Sequence, residues 1–255
     1  MNEAPRRPAG LPGGRARHWL AVATVGGLLV ATAAAFVVTE KLKLTPSPIL
    51  STRVSKTFSP VCGCLTASAS IRFRLRRGGR VEVDVLTSGG TLTRRLARRR
   101  FRAGFVFFRW FGRGPTGSLS PDGDYKIRVQ MFSEHRTIVL PNTIRLVTVP
   151  PRVERFRITR RSIPIGQRLR VEYRFNESAH PILFIDGRQA VLGRFAHASG
   201  TLDWYGKVGL TPVRRGIHRL TLAARDSAGN TSPVTASIAV RVARSAVRPA
   251  RRRKR

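Results

Sequence analysis

Between residues 71 and 85 the chain alternates between apolar and polar positions. Ile71, Phe73 and Leu75 fall on one side, and Arg72, Arg74 and Arg76 on the other. After Gly78-Gly79, Val81, Val83 and Val85 alternate with Arg80, Glu82 and Asp84. Successive strand residues point to opposite faces, so this spacing predicts two half-buried antiparallel strands joined by a glycine turn. Upstream, Pro46, Pro48 and Pro60 exclude a helix over 40–60, and Ile49 to Phe58 can supply a first strand. Downstream, 91–100 (TLTRRLARRR) fits either a short edge strand or a helical turn, and Phe105 to Trp110 reads as an aromatic-rich strand. After a loop at 112–124, Tyr125, Ile127, Val129 and Met131 face inward against Lys126, Arg128 and Gln130. A last strand from about Arg136 to Val149 is interrupted at Pro141-Asn142.

Pro150-Pro151 form a stiff joint, and beyond it the pattern repeats. Leu169, Val171, Tyr173 and Phe175 alternate with Arg168, Arg170, Glu172 and Arg174. Ile182 and Phe184 lead to an Asp186-Gly187 turn, further strands lie at 201–204 and 216–225, and Ile238, Val240 and Val242 close the pattern. The halves match in order. Residues 71–75 parallel 171–175, Arg109-Trp110-Phe111-Gly112-Arg113 parallels Asp203-Trp204-Tyr205-Gly206-Lys207, and 123–127 parallel 216–220. The offset is roughly 90–100 residues, the size of one sandwich. The predicted fold is all-β, with two tandem sandwiches at 58–149 and 150–243, a spacer at 39–57 before them and a basic tail at 244–255 that is too polar and charged to fold alone.

The alternation is absent from Trp19 to Val38, which is apolar throughout and carries no charge. A helix of this length is about 30 Å long, near the hydrocarbon thickness of a bilayer. This predicts a transmembrane helix at 19–38. The arm at 1–18 carries Arg6, Arg7, Arg15 and Arg17 against Glu3 alone, so positive-inside bias keeps it cytoplasmic and exports the remainder. The rival is a cleavable signal peptide ending near Ala31-Thr32-Ala33. Either way the expectation is a bacterial cell-envelope protein with extracytoplasmic C-terminal domains, held in the first reading by a single-pass anchor.

Charge complicates this picture. The net charge is +35, the pI is about 12.0, and only six of the 48 basic residues are lysine, leaving 42 arginines. A nucleic-acid binder would carry such charge. Ala, Gly, Pro and Arg share GC-rich codons, however, and the arginines are spread over most strands. The reading taken is compositional bias plus solvated strand faces. Two cysteines exclude a disulfide-rich scaffold, so the domains must rest on apolar cores.

Several short motifs resemble one family. Phe58-Ser59-Pro60, the strand at 71–75, Trp110-x-Gly112-Arg113 and Pro121-Asp122-Gly123-Asp124-Tyr125 in the first half, with Trp204-x-Gly206-Lys207 and Asp226-Ser227-Ala228-Gly229-Asn230 in the second, are similar to the immunoglobulin-like domain of flagellar hook-capping (FlgD-type) proteins. The resemblance covers most of 55–243. It implies immunoglobulin-like sandwiches and a scaffolding role. Where family members often carry an Asn/Asp/Gly loop after the Ser-Pro, this chain has Val61-Cys62-Gly63-Cys64 and no hook-assembly region, so flagellar function is not implied.

Candidate chemistry is sparse. Cys62 and Cys64 are the only thiols; a structural clasp, free or intermolecular thiols, and redox or metal chemistry remain open, with the clasp preferred. Asp122 and Asp124 flank a turn glycine and are too few for a calcium cage. Trp110 and Trp204 read as packing residues rather than ligand platforms. His18, His135, His180, His197 and His218 lack metal spacing, and neither a nucleophile elbow nor a phosphate loop occurs. No enzyme activity and no cofactor are expected. Residues 94–113 interleave arginines with aromatics, as single-strand binders do. Because the domains are taken as exported, the segment is read as a basic loop followed by a buried aromatic strand, and nucleic acid is set aside as a partner. Exposed aromatics within 101–111 would favour nucleic acid instead. The expected function is a non-catalytic scaffold or interaction module. It would contact anionic wall polymers, lipid headgroups or an envelope protein, with Arg251, Arg252, Arg253, Lys254 and Arg255 as candidate polyanion contacts. The alternatives are an exported nucleic-acid binder, or a thiol-redox accessory using Cys62 and Cys64.

Overall fold

The alternating segments fold as strands in the computed structural model, which describes residues 19, 23–36 and 46–243. The first half contains β1 (Ile49–Val54), β2 (Thr57–Phe58), β3 (Ala69–Leu75), β4 (Gly79–Thr87), β5 (Leu92–Phe101), β6 (Gly104–Trp110), β7 (Gly123–Met131), β8 (Arg136–Val139) and β9 (Ile144–Leu146). They form a three-stranded sheet, β1-β3-β6, and a larger sheet, β2-β9-β7-β4-β5, with β8 on β7. The inward residues read from the alternation pack between the sheets. Ile71, Phe73 and Leu75 of β3 meet Val81, Val83 and Val85 of β4 and Ile127 and Val129 of β7 in one apolar core. Segment 91–100 is an edge strand, paired with β4 from Gly79↔Phe101 to Leu86↔Leu92. β1 (Ile49–Val54) falls within the stretch expected to be a spacer, yet it is paired antiparallel with β3.

The second half contains β10 (Val153–Ile158), β11 (Ser162–Pro164), β12 (Leu169–Ile185), β13 (Arg188–Leu192), β14 (His197–Trp204), β15 (Lys207–Val208), β16 (Thr211–Pro212), β17 (Gly216–Arg225) and β18 (Ile238–Ala243). The long strand β12 pairs with β10 and β14 through its first part and with β13 and β17 through its last. It therefore does the work of both β3 and β4. With that fusion allowed for, the pairing order is the same twice. β10-β12-β14 answers β1-β3-β6, and β13-β12-β17-β18-β11 answers β5-β4-β7-β9-β2. Even the rare parallel pair recurs, as β2 with β9 and β11 with β18. The second half has its own core, centred on Leu169, Val171, Leu183, Leu220, Val240 and Trp204. Asp186 and Gly187 both have positive φ, 50° and 78°, as a two-residue hairpin turn twisted to match its strands requires.

The expected membrane anchor is corrected. Among the described residues no helix is long and apolar enough to cross a membrane. The predicted single-pass anchor, and with it the cell-membrane, extracytoplasmic localisation, therefore does not stand. The arm at 1–18 and the tail at 244–255, including Arg251, Arg252, Arg253, Lys254 and Arg255, lie outside the described residues.

Candidate functional site

The two faces of the β4 sheet use charge differently from what alternation alone suggests. Glu82 and Asp84 point away from the core, yet both are buried, Asp84 completely. The register explains this: Glu82 lies opposite Arg98, and Asp84 lies opposite Arg95 on one side and Arg128 on the other. Arg128 Nη2 reaches Asp84 Oδ2 at 2.7 Å, Arg95 Nη2 reaches Glu82 Oε1 at 2.9 Å, and Arg98 Nε reaches Glu82 Oε2 at 3.1 Å. Arginines from both flanking strands thus roof over the two carboxylates. Arg94, Arg99 and Arg100 of the same edge strand remain exposed.

The outer face of β1-β3-β6 carries no carboxylate, because none of its three strands contains one. In β6, Val106 and Trp110 are buried and Phe108 packs against the core. Phe105, Phe107 and Arg109 lie on the other side, and the two rings are 59% and 54% exposed. This corrects the reading of 105–110 as a buried aromatic strand: its aromatics are divided between the two faces. Cross-strand pairing sets them in rows, with Arg74 beside Phe105 and Ser51, Arg72 beside Phe107 and Arg53, and Ser70 beside Arg109. The Arg72 guanidinium lies 4.0 Å over the Phe105 ring and that of Arg74 lies 5.6 Å from it, while Arg109 sits 5.8 Å from Phe107. Ser51, Thr52, Arg53, Arg72 and Phe105 line a depression of about 190 Å³.

Cys62 and Cys64 are joined by a disulfide, and their loop lies against the second half. Thr66 Oγ1 donates to the Ala228 carbonyl at 2.6 Å, Thr57 Oγ1 to Ser227 O at 3.2 Å, and Asn230 Nδ2 to Val147 O at 3.0 Å. A Cβ on Gly229 would collide with Cys64 Sγ and Thr66 Oγ1, and the φ of +97° at Gly229 also favours glycine. The turn Asp226 to Asn230, read from sequence as a family motif, is therefore also a clamp between halves. Asp226 holds its shape by accepting from Asn230 N and Nδ2, both at 2.8 Å. A groove of about 670 Å³ beside the clamp is lined by Cys62, Cys64, Thr66, His180, Arg225 and Ser227 among others.

Trp110 and Trp204 are both buried, and each indole donates to the carbonyl three residues on, Arg113 at 3.1 Å and Lys207 at 2.7 Å. Asp122 accepts from Thr148 N, at 3.0 Å and 2.9 Å to its two oxygens, and so ties the loop before β7 to the end of the first half. Among the described residues no group of three or more His, Cys, Asp or Glu side chains is placed to hold a metal ion.

His218 is a feature that spacing did not reveal. Its Nδ1 lies 2.6 Å from Asp186 Oδ2 and its Nε2 lies 2.7 Å from the Arg214 carbonyl. Both partners only accept when Asp186 is ionised, so both ring nitrogens donate, which the imidazolium alone can do. Burial pushes the His218 pKa down, but the hydrogen bonds to Asp186 and Arg214 and the Asp186 charge outweigh it and hold the pKa above its ordinary value. For Asp186, burial pushes upward and is outweighed by hydrogen bonds from Arg219 N and His218, so its pKa is held down.

No protein-family profile and no curated protein matches the chain. Solved structures do. The fibronectin(III)-like modules of Clostridium thermocellum CbhA align at 14% identity over 77% of this chain and 93% of that one, with a TM-score of 0.42. FlgD from P. aeruginosa aligns at 20% identity over 50% of this chain and 83% of that one, with a TM-score of 0.29. The human OSCAR ligand-binding domain aligns at 10% identity over 76% and 100%, with a TM-score of 0.40. FlgD, the type of protein whose immunoglobulin-like domain the sequence motifs resemble, is thus among the structures that align with the chain. Likeness at this level carries nothing about partners. The strand pairing, mostly β and twice repeated, defines the architecture.

Proposed function

We propose that the chain is a non-catalytic interaction and scaffold module: two tandem immunoglobulin-like sandwiches, clamped to each other, that present arginine-rich strand faces to an anionic polymer. The observation that supports this most directly is how the acidic side chains are used. Glu82 and Asp84 are covered by Arg95, Arg98 and Arg128, and Asp203 lies near Arg168 and Arg170. Among the described residues, the exposed Arg53, Arg72, Arg74, Arg99, Arg100 and Arg109 of β1, β3, β5 and β6 enter no such ion pair, and arginine's planar fork suits phosphate or carboxylate oxygens.

The probe is inorganic polyphosphate titrated into the full chain across a salt series. Binding should weaken steadily with salt, because each phosphate neutralised releases counterions and screening shortens to about 8 Å at physiological ionic strength. Absence of binding at low salt, or binding indifferent to salt, would overturn the reading.

A further inference from the structure

The outer face of β1-β3-β6 differs from its counterpart in the second half, and the difference identifies a ligand class. The equivalent rows of β10-β12-β14 are fixed by the same register. Where the first half sets Arg74 beside Phe105, the second sets Arg174 beside Ser199. Where the first has Arg72 beside Phe107, the second has Glu172 beside Thr201; where it has Ser70 beside Arg109, the second has Arg170 beside Asp203. One fold position thus carries a polar face on which Glu172 and Asp203 are interspersed with Arg155, Arg157, Arg170 and Arg174, and the other carries four arginines, no carboxylate and two exposed phenyl rings. The rings are not needed to close the core, which Val106, Phe108 and Trp110 already serve from the opposite side of the strand. Arg53 and Arg72 stand directly opposite each other, an arrangement that disfavours pairing of the strands. The ion pairs among the described residues involve none of Arg53, Arg72, Arg74 and Arg109.

We infer that this face is a binding platform for single-stranded nucleic acid. The inference rests on the polyanion reading above and names its ligand and site. Phosphates explain the unpaired guanidinium groups, and bases explain the rings. Phe105 and Phe107 are two residues apart on one strand, so their rings project side by side about 6.7 Å apart. Exposed rings at that interval offer successive bases a stacking surface, and guanidinium planes beside them extend it. A purely phosphate-bearing polymer would leave the rings only their contacts with the guanidinium groups of Arg72, Arg74 and Arg109. In duplex DNA the bases are already stacked and out of reach of a flat sheet face.

The test compares the full chain with Phe105→Ala/Phe107→Ala and with Arg72→Gln/Arg74→Gln. The probes are fluorescent oligothymidylate, oligouridylate, an abasic oligonucleotide of equal length, a duplex and polyphosphate. The phenyl variant should bind both base-bearing single strands about tenfold or more weaker for each ring lost, while its affinity for polyphosphate and for the abasic strand changes less than about twofold. The arginine variant should weaken all five and flatten their salt dependence. Both variants alter exposed side chains and should keep the parental melting temperature, which is recorded alongside. The two deoxy and ribo arms separate DNA from RNA. Equal affinity for abasic and base-bearing strands, or a phenyl variant that binds oligothymidylate normally, would overturn the inference while leaving the polyanion reading intact. Loss of polyphosphate binding by the parent chain would instead defeat that broader reading. Concentration-dependent dimerisation abolished by the phenyl variant would identify a second copy as the occupant and would also overturn the inference.

Discussion

The Tyr125 hydroxyl donates to the Pro121 carbonyl at 2.6 Å, and the same four-residue reach is made in the second half by His218 to the Arg214 carbonyl. Both residues sit two positions after the glycine that opens β7 or β17, so one corner is pinned by a phenol and the other by an imidazolium. Burial raises the Tyr125 pKa, which keeps that corner neutral through the working range. The His218 corner titrates. Because its folded pKa is raised, its contribution to stability is complete below about pH 6.5 and is lost as pH rises through the folded value. Asp186 behaves in the opposite sense. Its contribution is present above about pH 3.9 and lost as pH falls through its lowered value. Thermal unfolding followed from pH 5 to pH 9 should show a falling melting temperature on the alkaline side, and His218→Gln should remove most of that fall. An alkaline limb unchanged in the variant would assign it to another group. Asp84 offers a second residue-scale contrast. It is fully buried between Arg95 and Arg128, so Asp84→Ala should cost about 3 kcal/mol, near the lower end for breaking a buried pair because the arginines are themselves partly exposed. Asp203 is more exposed and its pairs are longer, so Asp203→Ala should cost less than about 1 kcal/mol. Urea denaturation of both variants decides this, and equal costs would contradict the account.

At the scale of the element, the outcome depends on strand register. Phe73 is wholly buried on β3, so Phe73→Ala should cost about 3–5 kcal/mol. Phe107, on the outer side of the neighbouring strand β6, should cost less than about 1 kcal/mol on the same change. A large loss at Phe107 would mean that β6 is flipped by one residue. The contrast also shows which parts of the sequence were legible. In β3 and β7 apolar and charged residues alternate, and their inward positions follow directly. In β6 the run Phe105-Val106-Phe107-Phe108 is apolar at both parities, so alternation is silent, and the assumption of export tipped the reading toward burial. The information lay in the partner strand: Arg72 and Arg74 pair with Phe107 and Phe105, so those two rings must share the arginine side. The burial of Glu82 and Asp84 was hidden for a related reason. It depends on arginines brought from β5 and β7 by a register that no single strand reveals. The motif matches around Trp110 and Trp204 translated into structure well, because each indole makes the same local hydrogen bond.

For the whole molecule, the joint at Pro150-Pro151 is supplemented by the clamp between the cysteine loop and the turn Asp226 to Asn230. Gly229→Ala should force that contact apart without touching either core, since the added methyl collides with Cys64 Sγ and Thr66 Oγ1. Small-angle scattering of the full chain should then show a larger radius of gyration at unchanged strand content. An unchanged radius would mean that the proline joint alone sets the arrangement of the halves. The more consequential claim is that the molecule meets its ligand through one sheet face rather than through its charge at large. Photo-crosslinking of the full chain to a single-stranded oligonucleotide carrying photoreactive uracil, with the modified residues mapped by mass spectrometry, tests that claim most directly. Crosslinks should concentrate at Phe105 and Phe107 and be competed away by unlabelled single strand but not by duplex. Crosslinks confined to the 244–255 tail, or scattered over β5 and the second half in proportion to arginine content, would contradict it.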